Sequence, residues 1–192
     1  MSTASRISIV RRRILAEQGI ALQTMWIAAF AAATALGARL EIPHDPVPYT
    51  LQTLVVLLAG AFLGARNGAI SQAAYLAAGV LGAPVFAGGA FGAANLLGPS
   101  GGYLLSFPIA AAVVGRLLHN RRSLSVSFAA MGAGLLVIFT LGTLQLYALY
   151  LKNWNAAFGA GFLVFSWWDL LKLCAAAMTY HELAKRWPKV PA

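Results

Sequence analysis

Charged side chains are scarce in this chain. Of its 192 residues, 10% are charged and 60% are hydrophobic, which leaves too few polar side chains to coat a soluble globule of this size. The composition therefore excludes an ordinary soluble domain. It predicts an all-α integral membrane protein instead.

Cysteine and recognisable catalytic groups are scarce too. Cys174 is the single cysteine, which excludes a disulfide framework and a thiolate metal site. His44, His119 and His181 have no metal-ligand spacing, so we expect interfacial or solvated histidines, no metal and no cofactor. The chain has no phosphate-binding Gly-x-x-x-x-Gly-Lys-[Ser/Thr] loop, no nucleophile elbow and no aspartate cluster. An enzyme is thus the less favoured class, and any ATP-driven work must come from other subunits.

The net charge of +9 does not indicate a nucleic-acid partner. A nucleic-acid surface is a solvated basic face, whereas the basic residues here gather in short clusters between long apolar runs. The clusters are Arg6, Arg11, Arg12 and Arg13; Arg116, Arg121 and Arg122; and Lys185, Arg186 and Lys189.

Apolar runs predict the number of membrane crossings. A helical span needs about 20 apolar residues, and six apolar runs follow one another, of which the second and third are short and separated by Arg66 and Asn67. We interpret that separation as a tight hairpin; four long spans with a re-entrant pair are the alternative. The runs cover residues 19–38, 51–65, 68–83, 102–118, 124–151 and 156–180.

The basic residues favour six transmembrane helices with the N- and C-termini in the cytoplasm. Cytoplasmic loops carry the excess of Lys and Arg, and this topology places eleven of the 14 basic residues inside, Arg39 and Lys152 outside, and Lys172 within the last span. The chain then divides into a basic cytoplasmic segment (1–18), a six-helix membrane domain (19–180) and a basic cytoplasmic tail (181–192). The first apolar run also resembles a secretory signal, but its length favours retention as the first helix.

A carboxylate and an ammonium lie within the last span. Asp169 and Lys172 are three residues apart and therefore share one helical face. An unpaired charge at that depth is unfavourable by several kcal/mol, so the two side chains must neutralise each other and face a protein interior or a wet cavity. The pair is either a structural lock between helices or a ligand site that supplies one acceptor and one donor.

Two loops on the same side of the predicted topology favour the ligand site. The glycine loop (residues 84–101) reads PVFAGGAFGAANLLGPSG and contains five glycines and no charge, so we expect it to fold back over the membrane mouth. Its glycines allow close approach of backbone amides to a ligand. In the other loop, Tyr49, Thr50 and Gln52 present hydroxyl and amide groups at the same level.

The ordered motifs of the chain resemble the BioY family. They are PYTLQT (48–53), GAPVFAGG (82–89), LGPSGGY (97–103) and the pair formed by Asp169 and Lys172. Members of this family are the biotin-specific substrate-binding components of energy-coupling-factor transporters. The resemblance implies a six-helix protein of the cell membrane that captures biotin from outside and delivers it with a transmembrane coupling protein and two ATPase subunits. Another small vitamin is the alternative substrate.

The resemblance also implies that Asp169 and Lys172 belong to the ligand site. In the favoured pose, the ureido ring of biotin donates an N–H to Asp169 and accepts from Lys172; in the alternative pose, Lys172 holds the tail carboxylate. Because the glycine loop has no basic residue, the carboxylate in the first pose would accept from hydroxyl, amide and backbone N–H groups of the two loops. The predicted ligand-binding residues are Tyr49, Thr50, Gln52, Phe86, Gly88, Gly89, Asn95, Ser100, Tyr103, Trp168, Asp169 and Lys172.

Small residues on the first helix predict a partner surface. Several pairs of alanines lie four residues apart there, and such pairs let two helices approach closely in lipid. The resemblance favours contact with the coupling protein, and packing within the chain is the alternative. The predicted interface residues are Ala28, Ala29, Ala32 and Ala33.

Overall fold

The computed structural model of the protein describes residues 3–119, 121 and 123–186, with side chains described from Gly19 on except at 164–166, 185 and 186. Arg122, Lys189 and the rest of the predicted tail beyond residue 186 lie outside the described residues. The elements are α1 (Thr3–Arg39), β1 (Glu41–Ile42), β2 (Tyr49–Thr50), α2 (Gln52–Val80), 3-10 turns at Ala87–Gly89 and Ala93–Leu96, α3 (Gly101–Leu117), α4 (Leu124–Leu146), a π-helical turn (Tyr147–Leu151), α5 (Trp154–Phe158), a second π-helical turn (Gly159–Leu163) and α6 (Val164–Arg186).

Several of these helices are apolar enough to cross a membrane. Within the described part of the chain, four helical stretches combine sufficient length with sufficient hydrophobicity, and α3 is a shorter apolar helix. The apolar runs of the chain therefore form helices, as predicted. The four stretches are Gly19–Arg39, Gln52–Val80, Leu124–Leu151 and Trp154–Ala184, of which Gln52–Val80 is interrupted at Gly64 and is not one continuous helix.

The first helix is longer than its apolar run. α1 begins at Thr3 and so continues through the basic segment before it reaches Gly19. Most of its apolar part is uncovered by the rest of the protein, since only Thr34, Gly37 and Ala38 are buried between Gly19 and Arg39. The helix is thus held to the bundle mainly near its C-terminal end.

The second helix is a hairpin and not one straight rod. Gly64 has φ +78° and ψ 179°, backbone angles that lie outside the helical region, and the chain reverses direction there. Gln52 Nε2 donates to the hydroxyl of Tyr75 at 2.6 Å, although 23 residues of continuous helix would separate the two by about 35 Å. The predicted hairpin therefore exists, but its turn lies at Gly64 instead of at Arg66 and Asn67. Both of those residues belong to the second arm, residues 65–80.

One end of the bundle gathers basic residues. A Cβ added to Gly115 of α3 would lie 2.3 Å from Ala65 N, so the end of α3 packs directly on the hairpin turn. This contact brings Arg66 and Arg116 to the same end. Arg121 follows at once, because its N–H donates to Leu118 O beyond the end of α3 at 3.0 Å.

The glycine loop lies at the opposite end. The hydroxyl of Tyr150, just after α4, donates to Leu97 O in this loop at 2.6 Å, and Arg39 at the end of α1 donates to Pro84 O in the same loop. Lys152 follows Tyr150 and is exposed. The two basic residues that the topology assigns to the outer side, Arg39 and Lys152, therefore share this end.

Candidate functional site

A cavity of about 360 Å³ opens at the glycine-loop end of the bundle. This volume lies in the range typical of small-molecule sites. Residues from the β1–β2 connection, the start of α2, the glycine loop, α3, α4 and α6 form its wall. The lining residues are Glu41, Pro43, His44, Val47, Pro48, Thr50, Gln52, Thr53, Phe86, Ala87, Gly88, Asn95, Ser100, Tyr103, Leu104, Phe107, Ile138, Phe139, Asp169 and Lys172.

An ion pair lies in this wall. Lys172 Nζ lies 2.8 Å from Asp169 Oδ1, and the side chains are only 9% and 1% exposed, respectively. Nζ also donates to Thr50 O at 2.8 Å. Among the described residues, two of the three ammonium N–H groups thus have an acceptor, which leaves the third for a ligand.

The carboxylate of Asp169 is only half satisfied. The hydroxyl of Thr53 donates to Oδ1 at 2.6 Å, so Oδ1 accepts from both Thr53 and Lys172. Oδ2 is buried and has no hydrogen-bond partner among the described residues. A buried carboxylate oxygen without a donor is unfavourable by itself. It is therefore an acceptor available to a ligand N–H in the cavity.

A hydrogen-bond chain fixes the start of α2 beside the pair. The Thr50 hydroxyl donates to Gln52 Oε1 at 3.0 Å, and Gln52 Nε2 donates to Tyr75 across the hairpin. The Tyr75 hydroxyl in turn donates to Val85 O in the glycine loop at 3.3 Å. Gln52 thereby joins both arms of α2 to the loop, and its second amide N–H has no acceptor among the residues that the structure describes, so a ligand can use it.

Glycines make room for the aromatic side chains of the wall. A Cβ at Gly79 would lie 2.2 Å from the Phe86 ring, and a Cβ at Gly142 would lie 2.3 Å from the Tyr103 ring. Phe86 meets Tyr75 edge to face at 5.7 Å between centroids. The Tyr103 hydroxyl donates to a backbone carbonyl, Gly161 O, at 2.7 Å. These rings are therefore held in fixed orientations around the cavity.

The structure brings nine of the twelve predicted ligand residues into this one wall and leaves three outside it. Tyr49 packs on the ring of His44 at 4.8 Å, Gly89 lies beneath the guanidinium of Arg39, and Trp168 is 40% exposed on the outside of α6. That the nine residues bind a ligand stays a prediction. They are Thr50, Gln52, Phe86, Gly88, Asn95, Ser100, Tyr103, Asp169 and Lys172.

Several wall residues were not singled out from the sequence. Thr53 follows Gln52 directly at the start of α2, and its hydroxyl within the PYTLQT motif was available as a signal. His44, which we expect to be interfacial or solvated, is half-buried and belongs to the wall. Phe107 and Phe139 are apolar residues within long apolar runs, so the sequence offers no signal for them.

The predicted partner surface on α1 is largely uncovered. Ala28, Ala29 and Ala32 are exposed, whereas Ala33 is half-buried. Ala31 and Ala35 pack against the hydrophobic core instead. The small residues of this helix thus divide into an inward set and an outward set.

Apolar helices around a cavity that contains a buried ion pair and opens at one end define a class: a multi-pass helical membrane protein with a pocket for a small molecule at that end. The family model described as "BioY family" matches residues 9–189. The chain belongs to the BioY family.

Curated relatives agree with this assignment. The chain is 40% identical over 156 residues to the "Biotin transporter BioY" of Thermotoga maritima, which covers 81% of this chain and 92% of that protein. It is 37% identical over 177 residues to the "Probable biotin transporter BioY" of Lysinibacillus sphaericus. This alignment covers 88% of this chain and 90% of that protein.

A solved structure shares the fold. It is described as the S-component for biotin from an ECF-type ABC transporter, and it matches with a TM-score of 0.80 and 24% identity over 98% of this chain and 97% of that chain. At this identity the likeness concerns the fold alone.

Proposed function

We propose that the chain is the biotin-binding component of a vitamin uptake transporter, which captures biotin from the outer side of the cell membrane. The observation that carries this proposal is Oδ2 of Asp169, which is buried in the cavity wall beside the Lys172 ammonium and has no hydrogen-bond partner within the described part of the chain. Biotin offers the complementary groups, because its ureido ring has two N–H donors and one carbonyl acceptor. The biotin transporters among the relatives support the same ligand.

The favoured pose places the ureido ring deep and the tail towards the mouth. Asp169 Oδ2 accepts a ureido N–H, and Lys172 donates its remaining N–H to the ureido carbonyl. The reverse pose would place the tail carboxylate against Lys172, next to the carboxylate of Asp169. Two anions would then compete for one ammonium in a poorly solvated cavity, which is unfavourable.

The remaining wall suits the apolar parts of biotin. Phe86, Phe107 and Phe139 are each no more than 5% exposed and line the cavity together with Ile138 and Leu104. Burial of the fused rings and the tail methylenes against these side chains stabilises the complex. The tail carboxylate then reaches Asn95, Ser100 or the loop amides near the mouth.

The proposal includes six membrane helices, with both termini in the cytoplasm. The hairpin in α2 supports this count, because residues 52–63 and 65–80 run in opposite directions. The gathering of Arg66, Arg116 and Arg121 at the end opposite the cavity supports the orientation through the positive-inside rule. The cavity mouth then faces outward.

Delivery of biotin across the membrane requires partners. The chain has no phosphate-binding loop, so a transmembrane coupling protein and two ATPase subunits would supply the energy, and the chain itself performs no chemistry. The exposed Ala28, Ala29 and Ala32 support a docking surface for the coupling protein on α1, because small residues let helices pack closely in lipid.

Equilibrium binding of labelled biotin to the purified wild-type chain in detergent tests the ligand. We expect saturable binding to one site that unlabelled biotin displaces and that thiamine and riboflavin do not. Displacement by another vitamin, or the lack of saturable biotin binding, would contradict the proposal.

A further inference from the structure

Side chains from three helices hold the glycine loop by its backbone carbonyls. From α2, the Tyr75 hydroxyl donates to Val85 O, and from α4, the amide of Gln145 donates to two carbonyls further along the loop at 2.9 and 3.1 Å. From the end of α1, the guanidinium of Arg39 donates to Pro84 O. Tyr75 is buried and Gln145 half-buried, whereas Arg39 is exposed. Of these three anchors, Arg39 is the one least protected by packing; Tyr150, which donates to Leu97 O at the far end of the loop, is exposed as well.

Arg39 lies along the part of the loop that forms cavity wall. Its Nη2 donates to Pro84 O, and its Nη1 lies 2.8 Å from the position that a Cβ on Gly89 would take. Between these two contact points are residues 86–88, which line the cavity. The guanidinium therefore backs this stretch of wall from outside, without being part of the lining itself.

We propose that Arg39 is a positioning residue for ligand retention: its guanidinium holds residues 86–88 against the cavity and so limits the rate at which bound biotin leaves. This inference rests on the proposed function, since biotin is the ligand whose release is measured. This holding role acts on the dissociation rate, whereas electrostatic attraction of an anionic ligand would act on the association rate. A planar fork of donors suits a residue that fastens a backbone loop.

Three substitutions separate fastening from charge. Arg39→Met removes the donors and keeps an apolar stem, while Arg39→Lys keeps the charge and loses the planar fork. Lys152→Met is the control, because it removes an exposed charge at the same end of the bundle. The readouts are the dissociation rate of labelled biotin from the full chain in detergent and the hydrogen exchange of amides in residues 84–92.

We expect Arg39→Met to raise the dissociation rate about tenfold, the effect of losing one charge-assisted hydrogen bond at a partly solvated position. The dissociation rate of Arg39→Lys should be close to that of Arg39→Met. Both should speed hydrogen exchange in residues 84–92, because the loop opens more often without its outer anchor. Lys152→Met should change neither readout.

Two glycines of the loop form a second matched pair. Gly89 has φ +75° and Gly92 has φ +90°, so alanine strains the backbone at either position. At Gly89 the added Cβ also meets the guanidinium, whereas at Gly92 no atom of the described residues lies within 4 Å, apart from the two chain neighbours. We expect Gly89→Ala to raise the dissociation rate more than Gly92→Ala in the wild-type background. In the Arg39→Met background, the two alanine substitutions should raise the dissociation rate by the same factor.

Three results would overturn the inference. They are an unchanged dissociation rate with unchanged exchange in Arg39→Met, a change confined to the association rate, and full recovery by Arg39→Lys. If the wild-type chain does not bind biotin, the proposed function fails. The hydrogen-exchange comparison then still decides whether Arg39 holds the loop.

Discussion

Removing Lys172 should strand a buried carboxylate. At the observed 2.8 Å, the attraction between Lys172 Nζ and Asp169 Oδ1 is about 6 kcal/mol for an effective dielectric constant of about 20. Desolvation offsets much of this value, and loss of one partner from such a pair typically destabilises a protein by about 3–5 kcal/mol. Of the donors that the structure describes, Asp169 would keep only the Thr53 hydroxyl. We therefore expect Lys172→Met and Asp169→Asn each to lower both thermal stability and biotin affinity.

The double variant Asp169→Asn, Lys172→Met separates the two roles of the pair. It leaves no stranded charge, so a purely structural lock predicts that stability and affinity recover together. A ligand-binding pair predicts that stability recovers while affinity stays about 10- to 150-fold weaker, which corresponds to about 1.5–3 kcal/mol for hydrogen bonds with charged groups. Thermal unfolding in detergent and equilibrium biotin binding give the two readouts. Near-native affinity in the double variant would refute the assignment of Asp169 and Lys172 to the site.

Three further predictions concern topology, coupling and energy. Cysteine introduced at position 121 should react with an impermeant thiol reagent only from the cytoplasmic side, and cysteine at position 152 only from outside; labelling of position 121 from outside would exclude six spans with cytoplasmic termini. Ala29→Trp should reduce partner-dependent uptake and leave biotin binding nearly intact, because a bulky side chain separates closely packed helices. The control Ala77→Trp, on the exposed face of α2, should change neither uptake nor binding. If Ala29→Trp lowers biotin binding as much as uptake, Ala29 packs within the chain instead. The purified chain should neither bind nor hydrolyse ATP, and measurable turnover without other subunits would contradict a purely binding role.

The hairpin illustrates what sequence reasoning can and cannot predict about this fold. Two short apolar runs separated by polar residues predicted a reversal, and the reversal exists. Its position depends on one backbone conformation, φ +78° at Gly64, and no pattern in hydrophobicity identifies which residue adopts it. Asn67 suggested a turn because it is polar, yet it is 5% exposed within the second arm.

The cavity shows the same division. Asp169 and Lys172 were predictable because charged residues within an apolar span are energetically unfavourable and therefore usually have a function. The hydroxyl that completes Oδ1 comes from Thr53, 116 residues away in the chain, and only the fold brings it there. Trp168 is adjacent to Asp169 in sequence, but neighbours on a helix point about 100° apart. It therefore lies on the outside of α6 while Asp169 faces the cavity.

Analogues of biotin test the central claim most directly, because they probe which end of the ligand meets Asp169. The measurement is the affinity of the wild-type chain for biotin, for a biotin methylated on a ureido nitrogen, and for a biotin amide with an uncharged tail. Methylation removes the N–H that Asp169 Oδ2 would accept, so we expect that analogue to bind at least about tenfold more weakly. The amide should bind within a few-fold of biotin. A strong loss with the amide and none with the methylated ring would contradict the account.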